Sequence, residues 1–139
     1  MKSIFVLSCL VFLVFAGANF EASLTQQVGQ SCNSNGGFQI NSFDVSPWPV
    51  TAGSSETITF QGTFTISTTV GQIQYGIQGN QQWQFQYQNV NTAYTSGQNA
   101  TFTYQLNIPQ YHDSWTARVT VHQENAQQIL ACWNFQFTD

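Results

Sequence analysis

The chain has 139 residues, of which 6% are charged and 15% aromatic, and its formal net charge is −4. Its only cations are Lys2 and Arg118, so it cannot neutralise a row of phosphates, and nucleic-acid binding is excluded. The same shortage makes an anionic membrane surface a poor partner and leaves solubility to Gln, Asn, Ser and Thr.

Residues 1–18 read as a signal peptide. Lys2 supplies the positive start, Ile4 to Phe15 is almost wholly apolar, and Ala16-Gly17-Ala18 offers the small residues a signal peptidase reads. The apolar run is too short for a membrane span. Residues 19–139 are then one domain of about 120 residues, enough for a single core. Cys9 leaves with the leader, while Cys32 and Cys132 remain. An even pair in an oxidising compartment points to a disulfide, with two free thiols as the alternative. Two cysteines and two distant histidines form no ligand cluster, so no metal and no cofactor is expected.

Residues 19–31 carry no strong pattern and read as an extended arm leading to Cys32. Asn33 to Gly37 is a turn or loop. Phe38, Ile40, Phe43 and Val45 predict a first strand with an irregularity near Asn41-Ser42. Ser46-Pro47-Trp48-Pro49 stops it, because proline cannot donate to a ladder. Glu56 to Ser67 is the clearest strand: Ile58, Phe60, Gly62, Phe64 and Ile66 face one way, and Thr57, Thr59, Gln61, Thr63 and Thr65 the other.

Val70 to Gln78 follows, with Ile73, Tyr75 and Ile77 against Gln72, Gln74 and Gln78. Gly79-Asn80 signals a turn. Trp83, Phe85 and Tyr87 then alternate with Gln82, Gln84, Gln86 and Gln88, and the aromatic face is expected to point inward. Asn89 to Gln98 reads as a polar connection. Asn99 to Ile108 is the next strand, with Phe102, Tyr104, Leu106 and Ile108 on one face, and Pro109 ends it. Trp115, Ala117, Val119 and Val121 share a face of the strand Trp115 to His122, opposite Thr116, Arg118, Thr120 and His122. In the last strand, Gln127 to Thr138, Ile129, Ala131, Trp133, Phe135 and Phe137 alternate with Leu130, Cys132, Asn134, Gln136 and Thr138.

Seven strands with one apolar face each, and no helical periodicity, predict an all-β sandwich of two antiparallel sheets. The inward faces carry many aromatics. Strands use such residues for solid cores, and sheets that part a little use them to line an apolar pocket. Parity alone leaves both readings open.

Catalytic constellations are weak. His112-Asp113-Ser114 holds the residue types of a hydrolase triad, but neighbours in one loop do not readily line up as nucleophile, base and orienter. The acids are few and scattered, which argues against the facing carboxylates of a glycosidase. No enzyme is expected. His122 reads as a solvated surface histidine, with pH sensing as the alternative. Asn99-Ala100-Thr101 is a glycosylation sequon at a strand start.

The landmarks then fall in a known order. A cysteine follows a signal peptide. Next come Asp44-Val45-Ser46-Pro47-Trp48-Pro49, Gly53, a Thr-rich alternating strand, Tyr75-Gly76-Ile77, Leu106-Asn107-Ile108-Pro109 and Ala131-Cys132-Trp133. Over Cys32 to Thr138 the chain resembles the MD-2-related lipid-recognition (ML) family, in particular its Niemann–Pick C2-like sterol-transfer branch. The resemblance implies an immunoglobulin-like β-sandwich with lipid between its sheets, and a Cys32–Cys132 disulfide. It implies that Phe85 matches the phenylalanine at the pocket mouth and Tyr111 a rim tyrosine. Three departures stand out. Trp48 occupies the place of a cysteine of one further disulfide. The Asn89–Gln98 stretch lacks the cysteines of another. Gln110 follows Pro109 where sterol carriers are apolar.

The expected function is therefore non-enzymatic binding and transfer of a neutral lipid, sterol first. The expected lining is Phe60, Phe64, Tyr75, Phe85, Tyr104, Tyr111, Val119, Trp133 and Phe135. Each Å² of apolar surface buried contributes about 25 cal/mol, so a sterol needs no charged anchor. An anionic lipid would want Lys or Arg at the rim. The protein is expected to be a monomer, secreted or held in a lysosome-like lumen, and to pass cargo to a membrane lipid-acceptor protein. The alternative is a secreted carbohydrate-binding module using Trp48, Tyr94 and the many side-chain amides.

Overall fold

A computed structural model gives the architecture and describes residues 26–33, 35–125 and 128–138. The expected signal peptide lies outside these residues. The fold is all-β: an immunoglobulin-like sandwich of two antiparallel sheets. The strands are β1 (Gln26–Gln27), β2 (Gln30–Ser31), β3 (Phe38–Ser46), β4 (Ser55–Phe64), β5 (Thr68–Gly79), β6 (Gln82–Tyr94), β7 (Asn99–Asn107), β8 (Ser114–Gln123) and β9 (Ile129–Thr138). One sheet is ordered β1-β3-β4-β7 and the other β2-β9-β8-β5-β6. The seven expected strands are all present, and two short pairings of the N-terminal arm are added to them.

The arm is therefore not a plain tether. β1 pairs with β3 and β2 with β9, so the chain crosses from one sheet to the other within a few residues. Gly29, at φ +84°, makes the crossing; a Cβ there would lie 2.3 Å from the Asn134 carbonyl oxygen. The Trp133 indole N–H donates to the Val28 carbonyl at 2.9 Å, and the Val28 amide to the Phe43 carbonyl at 3.1 Å. This strap closes the β3–β9 side of the sandwich.

Alternation holds well in β4, where Ile58, Phe60 and Phe64 are buried and Thr57, Thr59 and Thr63 are not. The irregularity expected near Asn41-Ser42 is a register shift between Ile40 and Ser42. Two strand ends depart from their expected parity. Ile66 lies beyond the end of β4 and is exposed. In β9 a register shift opposite Val121/His122 turns Ile129 outward, at 39% exposure, and Leu130 fully inward.

The largest correction concerns β6. The stretch 89–94, expected to be a loop, continues the strand, and Trp83, Phe85 and Tyr87 do not face the interior. A two-residue turn, Asn80-Gln81, with φ of 48° and 63°, joins β5 to β6. It pairs Tyr75 with Gln86 and Gly76 with Phe85. Directly paired residues share a face, so inward Tyr75 brings Gln86 inward and sends Phe85 out. Phe85 and Tyr87 are 48% and 52% exposed. Asn91, at φ 48°, lies at a shift in the β5–β6 register, beyond which Tyr94 stacks on Phe64 at 4.3 Å.

Candidate functional site

Between the sheets, β3, β4 and β7 meet β5, β6 and β9 through rings. Phe43 is the hub. It stacks on Phe60 (5.7 Å), on Trp133 (5.4 Å, 10° between planes) and tilts against Phe135 (5.6 Å). Phe60 continues to Phe102 at 5.3 Å. A second stack joins the sheets farther along: Tyr75 on β5 lies on Tyr104 of β7 at 4.2 Å and 9°. Burial, and then the Tyr104 ring beside it, push the Tyr75 phenol well above its ordinary pKa, so it stays neutral.

Of the residues expected to line a pocket, seven lie in this interior. Phe60, Phe64, Tyr75, Val119 and Phe135 are buried, and Tyr104 and Trp133 are partly buried against them. Phe85 and Tyr111 are not among them. Phe85 stands on the outer face beside Trp83, whose ring lies parallel to it at 5.9 Å. Tyr111 is 48% exposed and leans on Trp115 at 5.0 Å.

The two sandwich edges are sealed differently. The strap seals one edge with backbone pairs. At the other, β6 and β7 are bridged by side chains. The Gln86 amide donates to the Asn107 carbonyl (3.1 Å) and its oxygen accepts from the Asn107 N–H (3.2 Å). The Gln88 amide donates to the Thr103 carbonyl (3.2 Å), and its oxygen accepts from the Tyr75 hydroxyl (2.8 Å). Two glutamines thus satisfy an edge strand with bonds that water can replace.

One interior residue is not apolar. Glu56 is 0% exposed. It has the inward parity of Ile58 and Phe60 and pairs with Leu106. Sequence reasoning passed over Glu56, Gln86 and Gln88. Glu56 carries the even parity of the inward residues of β4, and a two-residue hairpin turn always sets odd against even, so both facts were open to reading.

The remaining expectations sort simply. Cys32 and Cys132 form a disulfide across 100 residues of sequence. Asn99 is exposed, and its side-chain oxygen accepts from the Thr63 hydroxyl at 2.7 Å. Asp113 accepts from the Ser114 backbone N–H at 2.7 Å. Arg118 faces outward, 5.1 Å from the Trp83 ring centroid, and donates to Asn134. Trp48 and Tyr94 both pack partly into the core instead of standing free. Among the described residues, no group of three or more His, Cys, Asp or Glu could hold a metal. A polar groove of about 570 Å³, lined by residues such as Gln72, Asn89, His122 and Glu124, opens at the β5–β8 register shift, away from the aromatic interior.

No family model and no curated protein matches this sequence. Among solved structures, the fold is similar to that of a Niemann-Pick type C2 protein from Japanese carpenter ant. The TM-score is 0.59 at 10% identity, over 80% of this chain and 98% of that one. At that identity the likeness speaks for the fold: a sandwich of the Niemann-Pick C2 kind.

Proposed function

We propose that this protein is a non-enzymatic carrier of a neutral lipid, sterol-sized, held between the two sheets and delivered from an extracellular or lysosome-like lumen. The observation that carries the reading is the unequal sealing of the sandwich. One edge is strapped by backbone, and the other is held by Gln86 and Gln88 alone among the hydrogen bonds described between β6 and β7. Parting the sheets there exchanges a few side-chain hydrogen bonds for bonds to water and exposes ring faces that an apolar ligand can cover. The absence of lysine from residues 3–139 favours a neutral lipid over an anionic one. The fold likeness to a Niemann-Pick type C2 protein agrees with the reading.

The test is a titration of the purified, disulfide-bonded protein with a fluorescent sterol and, in parallel, a fluorescent phosphatidylinositol. Saturable sterol binding is expected, with the anionic lipid weaker. Val119→Phe adds bulk to the interior and is expected to weaken sterol binding several-fold, while outward Phe85→Ala leaves it unchanged. No saturable uptake by the wild type sinks the proposal. A second reading, glycan recognition, draws on the outward row Trp83, Phe85 and Tyr87. It requires the reverse pattern on a glycan array: binding lost in Phe85→Ala and kept in Val119→Phe.

A further inference from the structure

Glu56 is the one acidic side chain fully buried among the described residues. It lies on the inner face of β4, two residues before Ile58, at the end of the sandwich where Ser55 pairs with Asn107. Asn107 is the residue whose backbone Gln86 holds, so Glu56 lies one strand in from the β6–β7 seam, paired with Leu106 of β7. The Ser54 hydroxyl lies within reach of both Oε1 and the Thr51 carbonyl and has one proton to donate; donated to Oε1 it fixes that carboxyl oxygen, while the Thr51 carbonyl keeps the Ser54 backbone N–H at 3.2 Å. The other oxygen, Oε2, is buried and has no hydrogen-bond partner. An orphaned buried acceptor is destabilising. A leucine or methionine of similar volume would avoid that cost.

We propose that Oε2 of Glu56 is the acceptor for the polar end of the bound lipid, and that the lipid is one bearing a free hydroxyl. This rests on the lipid-carrier reading above. The chemistry selects the hydroxyl. A carboxylate or phosphate brings acceptors to an acceptor. An ammonium has three donors to satisfy, and Oε1 is already engaged by Ser54. A hydroxyl supplies the single donor that Oε2 lacks, and its apolar body can lie toward Ile58 and Phe60. The site thus reads a lipid alcohol at the seam end of the sandwich, and Ser54 orients the carboxyl that receives it.

The experiment is competition against a fluorescent sterol with 5α-cholestan-3β-ol and with 5α-cholestane, which differ only in the hydroxyl. The wild type is expected to prefer the alcohol by roughly tenfold or more, the scale of one hydrogen bond to a charged or buried group. Glu56→Leu is expected to bind the two equally. Glu56→Gln keeps an acceptor oxygen and is expected to keep the preference. Glu56→Met repeats the Leu result should that variant fold poorly, and far-UV circular dichroism reports folding for each. A preference retained in folded Leu or Met variants overturns the anchor role while leaving the carrier reading intact. So does a wild type that binds both steroids equally. A wild type that binds neither overturns both.

Discussion

His122 on β8 is half-buried beside Thr120, whose hydroxyl is 2.9 Å from its Nε2. Burial holds its pKa below the ordinary 6.5, because the imidazolium loses water contact there. Above that pH the ring is neutral in both folded and unfolded chains and contributes no pH dependence. As the pH falls below 6.5, the unfolded chain takes the proton first, so stability declines until the pH has passed below the folded value. Gln123 and Glu124 line the same groove, and Glu124 is the titratable neighbour there. Thermal melts are expected to show a fall in Tm on acidification through this window. His122→Gln should shrink that fall. Equal slopes in the two proteins would remove His122 from the account. The sequence placed His122 on the polar face of its strand; the residues of other elements that cover it are not visible in one strand's alternation. Phe85 departs from expectation for a different reason. Alternation fixes which residues share its face, but which of two faces is inner depends on the partner strand.

The β5–β6 hairpin shows what settles such a choice. In β5 the inward residues Ile73, Tyr75 and Ile77 are odd-numbered, and so are Trp83, Phe85 and Tyr87 in β6. A two-residue turn pairs odd with even, so the two apolar rows cannot share a face. The glutamines that looked like a solvent face therefore became the seam between β6 and β7, and the aromatics became an outer row beside Arg118. The double substitution Gln86→Ala, Gln88→Ala tests the seam. It removes three bonds to β7 and leaves the Tyr75 hydroxyl without its acceptor. A net loss of about 1–3 kcal/mol is expected in urea unfolding, since water can replace part of each bond. If this edge is the way in, stopped-flow sterol uptake should quicken in the same variant. Slower or unchanged uptake would place the opening elsewhere.

At the scale of the whole molecule the sandwich was legible because seven strands each carry an apolar face, and such faces must be covered. The N-terminal strap was not, since two pairings of two residues each in Gln-rich sequence leave no periodic signal. The disulfide joins these two levels. Cys32 follows the strap directly, its N–H donates to the Cys132 carbonyl at 3.0 Å, and Cys132 lies across from Thr120 in β9. The bridge therefore pins the strap to the five-stranded sheet and closes a loop spanning 100 residues of separation. In the chain-entropy account a loop of that size restricts the unfolded chain by about 4–5 kcal/mol. The variant Cys32→Ser, Cys132→Ser is expected to lose about 3–5 kcal/mol in urea unfolding. Its sterol affinity, measured well below its melting temperature, should match the wild type, because Cys132 lies opposite in parity to the inward Trp133 and Ala131. A variant that keeps its stability would mean that the strap's backbone pairs already hold that edge, or that the unfolded chain is compact without the bridge. A variant that stays folded but loses sterol affinity would mean that the strap shapes the interior, and that the β3–β9 edge moves when lipid is bound.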